Sequence, residues 1–272
     1  MKTISIKAFQ IFIFLVVSTT LVVITLHCCK IYTIKISSHG ESKISNHNEK
    51  MSQISIVMPI YNGIEFINES VNSVLEQTYD NWELIIGING HPPDSEIYKI
   101  AKRFETTDNR IHVYDFHEVR GKASTLNGML KYCKGDYIAI LDVDDVWYTN
   151  KIELQIPFLY KYDVIGAKCV YFGNLNGTIT DIPTGDISNF DFKLVNPICN
   201  SSSMIKKTLC YWSDTFELDD YEMWLKLRKS GKTFYNCNKV LVKHRVHSKS
   251  NFNAKGNHNK VDDLLVFYGF KI

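Results

Sequence analysis

The sequence has no C-x-x-C pair, no G-x-G-x-x-G and no G-x-x-x-x-G-K-[ST]. The first absence argues against a zinc knuckle or thioredoxin-type site among the seven cysteines at 28, 29, 133, 169, 199, 210 and 237. The other two argue against a dinucleotide-binding fingerprint and a P-loop. No internal repeat or low-complexity tract is present. An excess of charge is also missing: 31 Lys and Arg stand against 29 Asp and Glu in 272 residues. So balanced a chain has little bulk charge with which to hold a long polyanion, and no nucleic-acid partner is expected. With 45% apolar and 22% charged residues the composition is globular. The length buries a core that needs no disulfide or metal to fold, so the five cysteines beyond position 50 read mostly as buried thiols.

What charge there is falls unevenly. Residues 1–52 hold six Lys and two Glu, so the remainder is slightly acidic. Ala8 to Leu26 form a 19-residue run without a charge, flanked by Lys2 and Lys7 before it and Lys30 and Lys35 after it. As a helix this run would span about 28 Å, close to the hydrocarbon thickness of a bilayer. A cleavable signal peptide has a shorter apolar run and a small-x-small exit, and a buried core helix would carry a polar face. A single-pass membrane anchor over residues 1–36 is therefore expected, followed by a polar tether over 37–52. The similar Lys counts on its two sides leave the orientation open. So do the sequons Asn68-Glu-Ser70, Asn176-Gly-Thr178 and Asn200-Ser-Ser202, since a glycan at Asn200 would clash with a strand expected there.

From residue 53 the periodicity alternates. Strands are expected at Ile54–Tyr61, Trp82–Ile88, Ile111–Phe116 and Tyr137–Leu141, with helices at Ile64–Gln77, Ser95–Glu105 and Gly121–Cys133 between them. This order predicts an α/β fold with a mostly parallel sheet covered on both faces, whose ligands bind beyond the carboxyl ends of the strands. The polar punctuation Tyr61-Asn62, Asn89-Gly90 and Asp142–Asp145 falls at those ends. Further on, a helix is expected at Lys151–Lys161 and strands at Val164–Phe172, Thr178–Ile182, Ile198–Ile205 and Val240–Val246. An amphipathic helix at Asp219–Ser230 and a short one at Val261–Phe270 complete the pattern, the latter within a tail over 251–272.

Asp142, Asp144 and Asp145 put three carboxylates at the end of one apolar strand. Such neighbours repel and raise one another's pKa, and a divalent cation relieves the repulsion. Mn²⁺ or Mg²⁺ takes one or two carboxylates and completes its shell with phosphate oxygens and water. Spacing alone also fits a solvated acidic turn.

Six segments in order resemble family 2 glycosyltransferases of the GT-A fold. They are Ile54-Ser-Ile-Val-Met-Pro-Ile-Tyr-Asn62, Ser73-Val-Leu-Glu-Gln-Thr-Tyr79, Trp82-Glu-Leu-Ile-Ile86, Gly121-Lys-Ala-Ser-Thr-Leu-Asn127, Gly135-Asp-Tyr-Ile-Ala-Ile-Leu-Asp-Val-Asp-Asp145 and Asp219-Asp-Tyr-Glu-Met-Trp-Leu225. The resemblance covers residues 53–250. It implies a GT-A sheet with a nucleotide-binding half and an acceptor half. It also implies inverting transfer of a sugar from a nucleotide-diphosphate sugar, UDP-linked above all, to a hydroxyl of a glycan, lipid or protein acceptor. By the same resemblance Pro59, Tyr61 and Asn89 hold the base, Asp142 joins Asp144 in the D-x-D contact with ribose and metal, and Asp144, Asp145 and His247 take the metal. Asp220 is then the general base, with Lys122 and Arg245 placed to stabilise the departing diphosphate. One departure stands out: Asn89 occupies a position where the family has an acid, and an amide both accepts and donates.

Those roles agree with the chemistry. Attack at an anomeric carbon needs a hydroxyl relieved of its proton, and one carboxylate suffices for a single displacement, whereas a glycosidase needs two flanking the bond. A catalytically inactive nucleotide- or glycan-binding relative and a nucleotidyltransferase remain as alternatives. Asp220 separates them, because only sugar transfer needs that base.

Overall fold

The computed structural model describes residues 52–175, 177–213, 215–248 and 257–270. The anchor expected over 1–36 and the tether over 37–52 lie outside the described residues, Ser52 excepted. Among the described residues no helix is long and apolar enough to cross a membrane. Residues from 51 onward form one compact unit.

Its first half follows the alternating pattern. Strand β1 (Ile54–Ile60) is buried along its whole length, as a strand covered on both faces must be. A turn of 3₁₀-helix at Ile64–Phe66 leads into α1 (Ile67–Leu75), then β2 (Trp82–Asn89), α2 (Glu96–Lys102), β3 (Ile111–Phe116), α3 (Lys122–Met129) and β4 (Tyr137–Ile140). The Ser95 hydroxyl caps α2 by accepting from Tyr98 N–H. β1 pairs in parallel with β2 and β4, and β2 in parallel with β3. Each crossover returns the chain to the same edge, so the loops after β1, β2 and β4 meet at one rim.

The second half contributes β5 (Val146–Trp147), α4 (Lys151–Gln155), β6 (Val164–Gly173), β7 (Gly185–Asp186), β8 (Met204–Lys206), α5 (Asp219–Lys229), β9 (Phe234–Val246) and α6 (Asn257–Phe267). Among the described residues the strands form one sheet in the order β3-β2-β1-β4-β8-β6-β9-β5, with β7 also on β9. β8 runs antiparallel to both β4 and β6, so it joins the parallel half to the parallel pair β6–β9. One apolar cluster unites Ile56, Met58, Leu84 and Ile86 with Ile165, Leu241 and Val242. A second gathers Leu126, Met129, Trp212, Trp224 and Phe234 under Leu264 and Leu265 of α6.

Several expectations are corrected here. The segment Ile198–Ile205 is not one strand: Asn200–Ser202 form a 3₁₀ turn and only Met204–Lys206 pair. The Ser202 hydroxyl donates to Cys199 O and that of Ser203 to Asn200 O, and such local bonds compete with a ladder. Thr178–Ile182 makes one isolated bridge, Val170 to Ile179, and Ile179 is exposed. β9 starts six residues before the expected Val240, because exposed Asn238 and Lys239 break an otherwise continuous strand pattern. Cys169 and Cys199 are disulfide-bonded, not thiols, while Cys133, Cys210 and Cys237 are free and buried. A separation of 30 residues hid that β6 and the loop before β8 are neighbours.

Gly135 lies where β4 approaches β1. A Cβ there would press on the Gln53 carbonyl oxygen and sit 2.8 Å from Ser55 N, both backbone atoms that cannot swing aside. Gly135→Ala is expected to destabilise the fold by about 1–3 kcal/mol, the usual cost of overpacking. A urea midpoint unchanged from the parent would contradict that close approach.

Candidate active site

Gly121, with φ 89°, turns the chain so that α3 opens on Lys122. Lys122 Nζ lies 2.6 Å from Asp142 Oδ1, just past the end of β4. The second oxygen of Asp142 accepts from Asn200 Nδ2 at 3.0 Å, and Asp142 N–H donates to Ser201 Oγ at 3.1 Å. Burial works against both charges, yet each holds the other ionised: Lys122 stays above the usual lysine range and Asp142 below the usual carboxylate range. Asp219 and Asp220, the first two residues of α5, also act on Lys122. Asn196 Nδ2 donates to Asp220 Oδ2 at 3.2 Å. Burial and then the Asp219 charge push Asp220 up to about 6. Asp219 Oδ2 is buried and has no partner among the described residues.

One turn further along the β4 loop, Asp145 and Asp144 separate in role. Asp145 is fully buried and both its oxygens are engaged: Oδ1 accepts from Arg245 N–H at 2.9 Å and Oδ2 pairs with His244 Nδ1 at 3.0 Å. Burial opposes the charged His244 ring, but Asp145 lifts it to about 9. These bonds tie the loop to β9. Asp144 faces the other way, with Oδ2 3.0 Å from His247 Nε2. Burial, then Asp145 and Asp142, raise the Asp144 carboxyl above its ordinary value, the mark of an acidic site short of positive charge.

Arg245 packs against the same loop. Its Nε donates to Asp144 O at 2.9 Å, its Nη2 to Glu69 Oε2 at 2.9 Å, and its guanidinium lies between Phe66 at 4.4 Å and Phe172 at 4.3 Å. These contacts hold the guanidinium between two aromatic rings and against the aspartate loop.

At the neighbouring strand ends, Pro59 is buried within β1 opposite Gly87, while Tyr61 stands 54% exposed. The Tyr61 ring stacks on His91 at 5.1 Å and lies over Gly90, where a Cβ would come within 3.0 Å of it. Asn89, the last residue of β2, is 3% exposed. The structure thus brings Lys122, Asp142 and Asp220 into one group, Asp144 with His247 into a second, and Tyr61 with Asn89 to the ends of adjacent strands. Asn196, Asn200, Ser201 and His244 are partners that sequence reasoning missed as site residues. A polar turn read as a strand gave no signal for the middle two.

Among the described residues no three His, Cys, Asp or Glu side chains converge to cage an ion. Asp144 with His247 is the smaller donor set that suits a hard cation completing its shell with phosphate and water.

Comparison with known proteins bears on the family and the fold. The model of "Glycosyl transferase family 2" matches residues 55–224, more than half of the chain. The chain is 32% identical over 206 residues to the Escherichia coli UDP-Glc:alpha-D-GlcNAc-diphosphoundecaprenol beta-1,3-glucosyltransferase WfgD, covering 72% of this chain and 78% of that one. It is 29% identical over 204 residues to the putative teichuronic acid biosynthesis glycosyltransferase TuaG of Bacillus subtilis, covering 72% and 80%. In fold it resembles S. aureus TarS in complex with UDP-GlcNAc, with a TM-score of 0.64 at 14% identity over 79% of this chain and 65% of that one. It also resembles the mannosyltransferase PcManGT from Pyrobaculum calidifontis in complex with GDP-Man and Mn²⁺, with a TM-score of 0.59 at 16% identity, covering 74% and 59%. The acids at the rim, the sheet that delivers them and these matches lead to one conclusion: this chain belongs to glycosyltransferase family 2 and has a GT-A-like α/β fold.

Proposed function

We propose that the chain is an inverting glycosyltransferase that moves a sugar from a nucleotide-diphosphate sugar, a UDP-sugar first among them, to an acceptor hydroxyl. The observation that carries this reading is the Asp220 carboxyl at the start of α5, raised to about 6 and grouped with Lys122 and Asp142. A base is most effective when its pKa lies near the working pH. The UDP-Glc in the name of WfgD and the UDP-GlcNAc held by TarS support a UDP-sugar for this chain.

In this reading Tyr61 and Asn89 receive the base at the ends of β1 and β2, and Asp142 meets the ribose. Asp144 and His247 would hold Mn²⁺ or Mg²⁺, which supplies positive charge to the diphosphate when bound. Asp220 accepts the proton of the acceptor hydroxyl. The oxygen then bonds to the anomeric carbon as the bond from that carbon to the diphosphate oxygen breaks, and the nucleoside diphosphate leaves with the electron pair. The proposal extends to the apolar run 8–26 as a single-pass anchor, which alkaline carbonate extraction of membranes tests.

The deciding experiment follows nucleoside-diphosphate release from a panel of sugar donors with Mn²⁺ and candidate acceptors. Acceptor-dependent release with one donor, and a product of inverted anomeric configuration, supports the proposal. Donor binding without release across the panel would instead favour an inactive nucleotide-binding relative, and a retained configuration would remove the single-displacement mechanism.

A further inference from the structure

The segment between β7 and β8 meets the start of α5 at two points, on consecutive residues of the helix. Asn196 Nδ2 donates to Asp220 Oδ2 at 3.2 Å. The hydroxyl of Tyr221, next along α5, donates to the carbonyl oxygen of Phe192. Phe192 and Tyr221 are both buried, so the loop cannot drift away from Asp220 without opening a bond that water does not replace.

The Asn196 amide is itself turned one way. Its Oδ1 accepts from Ile198 N–H at 3.3 Å, a local bond of the Asx-turn kind. A backbone N–H only donates and an ionised carboxylate only accepts, so these two partners fix which end of the amide faces Asp220. Pro197 between them has its φ locked by its ring. Its carbonyl oxygen accepts from Asn236 Nδ2 of β9 at 2.8 Å, and the same nitrogen donates to Pro183 O at 2.8 Å. Asn236 is fully buried. The donor that meets Asp220 is thus braced by the sheet as well as by its own loop. The charged groups that act on Asp220 are Asp219 on its own helix, Lys122 on α3 and Asp142 after β4. Charge sets how readily the carboxyl ionises, whereas a hydrogen bond has a direction and sets where its oxygens point.

We propose that Asn196 is a positioning residue for the base: by engaging Oδ2 it fixes the plane of the Asp220 carboxyl and leaves Oδ1 to take the proton of the acceptor hydroxyl. This role rests on the reading of Asp220 as that base.

The test is steady-state kinetics of the full chain with sugar donor, Mn²⁺ and acceptor, with kcat and KM read separately. Asn196→Ala should lower kcat by about 10–10²-fold, the cost of a misplaced reacting group, and leave the donor KM within about threefold. Asn196→Asp keeps an oxygen for Ile198 N–H but gives up the donation and adds a like charge. Its kcat should fall too, and the acid limb should move up by about one pH unit or more. In an Asp220→Asn background, Asn196→Ala should cost less than about twofold, because residues that act through one group are not additive. Parent-like kcat in either folded Asn196 variant, or an undiminished loss in the Asp220→Asn background, overturns the positioning role and leaves Asp220 as the base. Parent-like turnover in Asp220→Asn removes the base, and the role of Asn196 with it.

Discussion

Asp220→Asn lowers acceptor-dependent turnover by about 10²–10⁴-fold, the range expected for loss of a positioned general base. The amide keeps the shape of the carboxyl and one oxygen for Asn196 Nδ2, so donor binding should change little. The same group sets the acid limb of the parent enzyme. Burial and Asp219 push Asp220 up to about 6, so the carboxylate is present above that pH and turnover falls as pH drops through it. Stability should move the opposite way. A carboxyl that titrates higher in the folded chain than in the unfolded one costs stability as pH rises from about 4 to about 6, because the folded state then binds more protons. Asp220→Asn should therefore not lower the Tm at pH 7. An active variant, or one whose loss of activity tracks a lower Tm, removes Asp220 from its role.

The second large effect is expected at Asp144. Asp144→Ala, and separately treatment of the parent with EDTA, should each lower turnover by about 10²–10³-fold, as for the loss of a charge that stabilises the leaving group. Added Mn²⁺ or Mg²⁺ should restore the EDTA-treated parent but not the variant. Unlike Asp220→Asn, Asp144→Ala should also weaken binding of the nucleoside diphosphate, measured by calorimetry with and without Mn²⁺. Turnover that survives EDTA would take the cation out of the proposal and leave Asp144 with His247 as a structural pair.

The first half of the fold was legible because its signals are local. β1 and β2 are mostly apolar, isoleucine-rich runs followed by Asn-Gly, and three crossovers of ordinary length leave a parallel sheet as the consistent topology. Asp142, Asp144 and Asp220 were legible as acids at element ends. The division of labour among them was not, because it depends on partners far along the chain. Asp145 is claimed by His244 and by Arg245 N–H, 99 and 100 residues away. Spacing within D-x-D-D cannot reveal which carboxylate will be turned inward by a strand so distant. Asn200 was obscured differently: serines that bind their own backbone made a turn inside an apolar-flanked segment that reads as β.

The bond from Asp145 to β9 also orders events in time. β5 pairs with β9, and His247 follows directly on β9, so Asp144 and Asp145 gain their side-chain partners only when residues 234–247 arrive. During synthesis a nascent chain can complete the β3-β2-β1-β4 sheet well before then. A polypeptide stopped ahead of residue 234 would carry most of one core and could hold Asp142 through Lys122 and Asn200, yet it would lack the partners of Asp144 and Asp145. Competence is the last property such a chain acquires, and truncation products should be inert however well their first half folds.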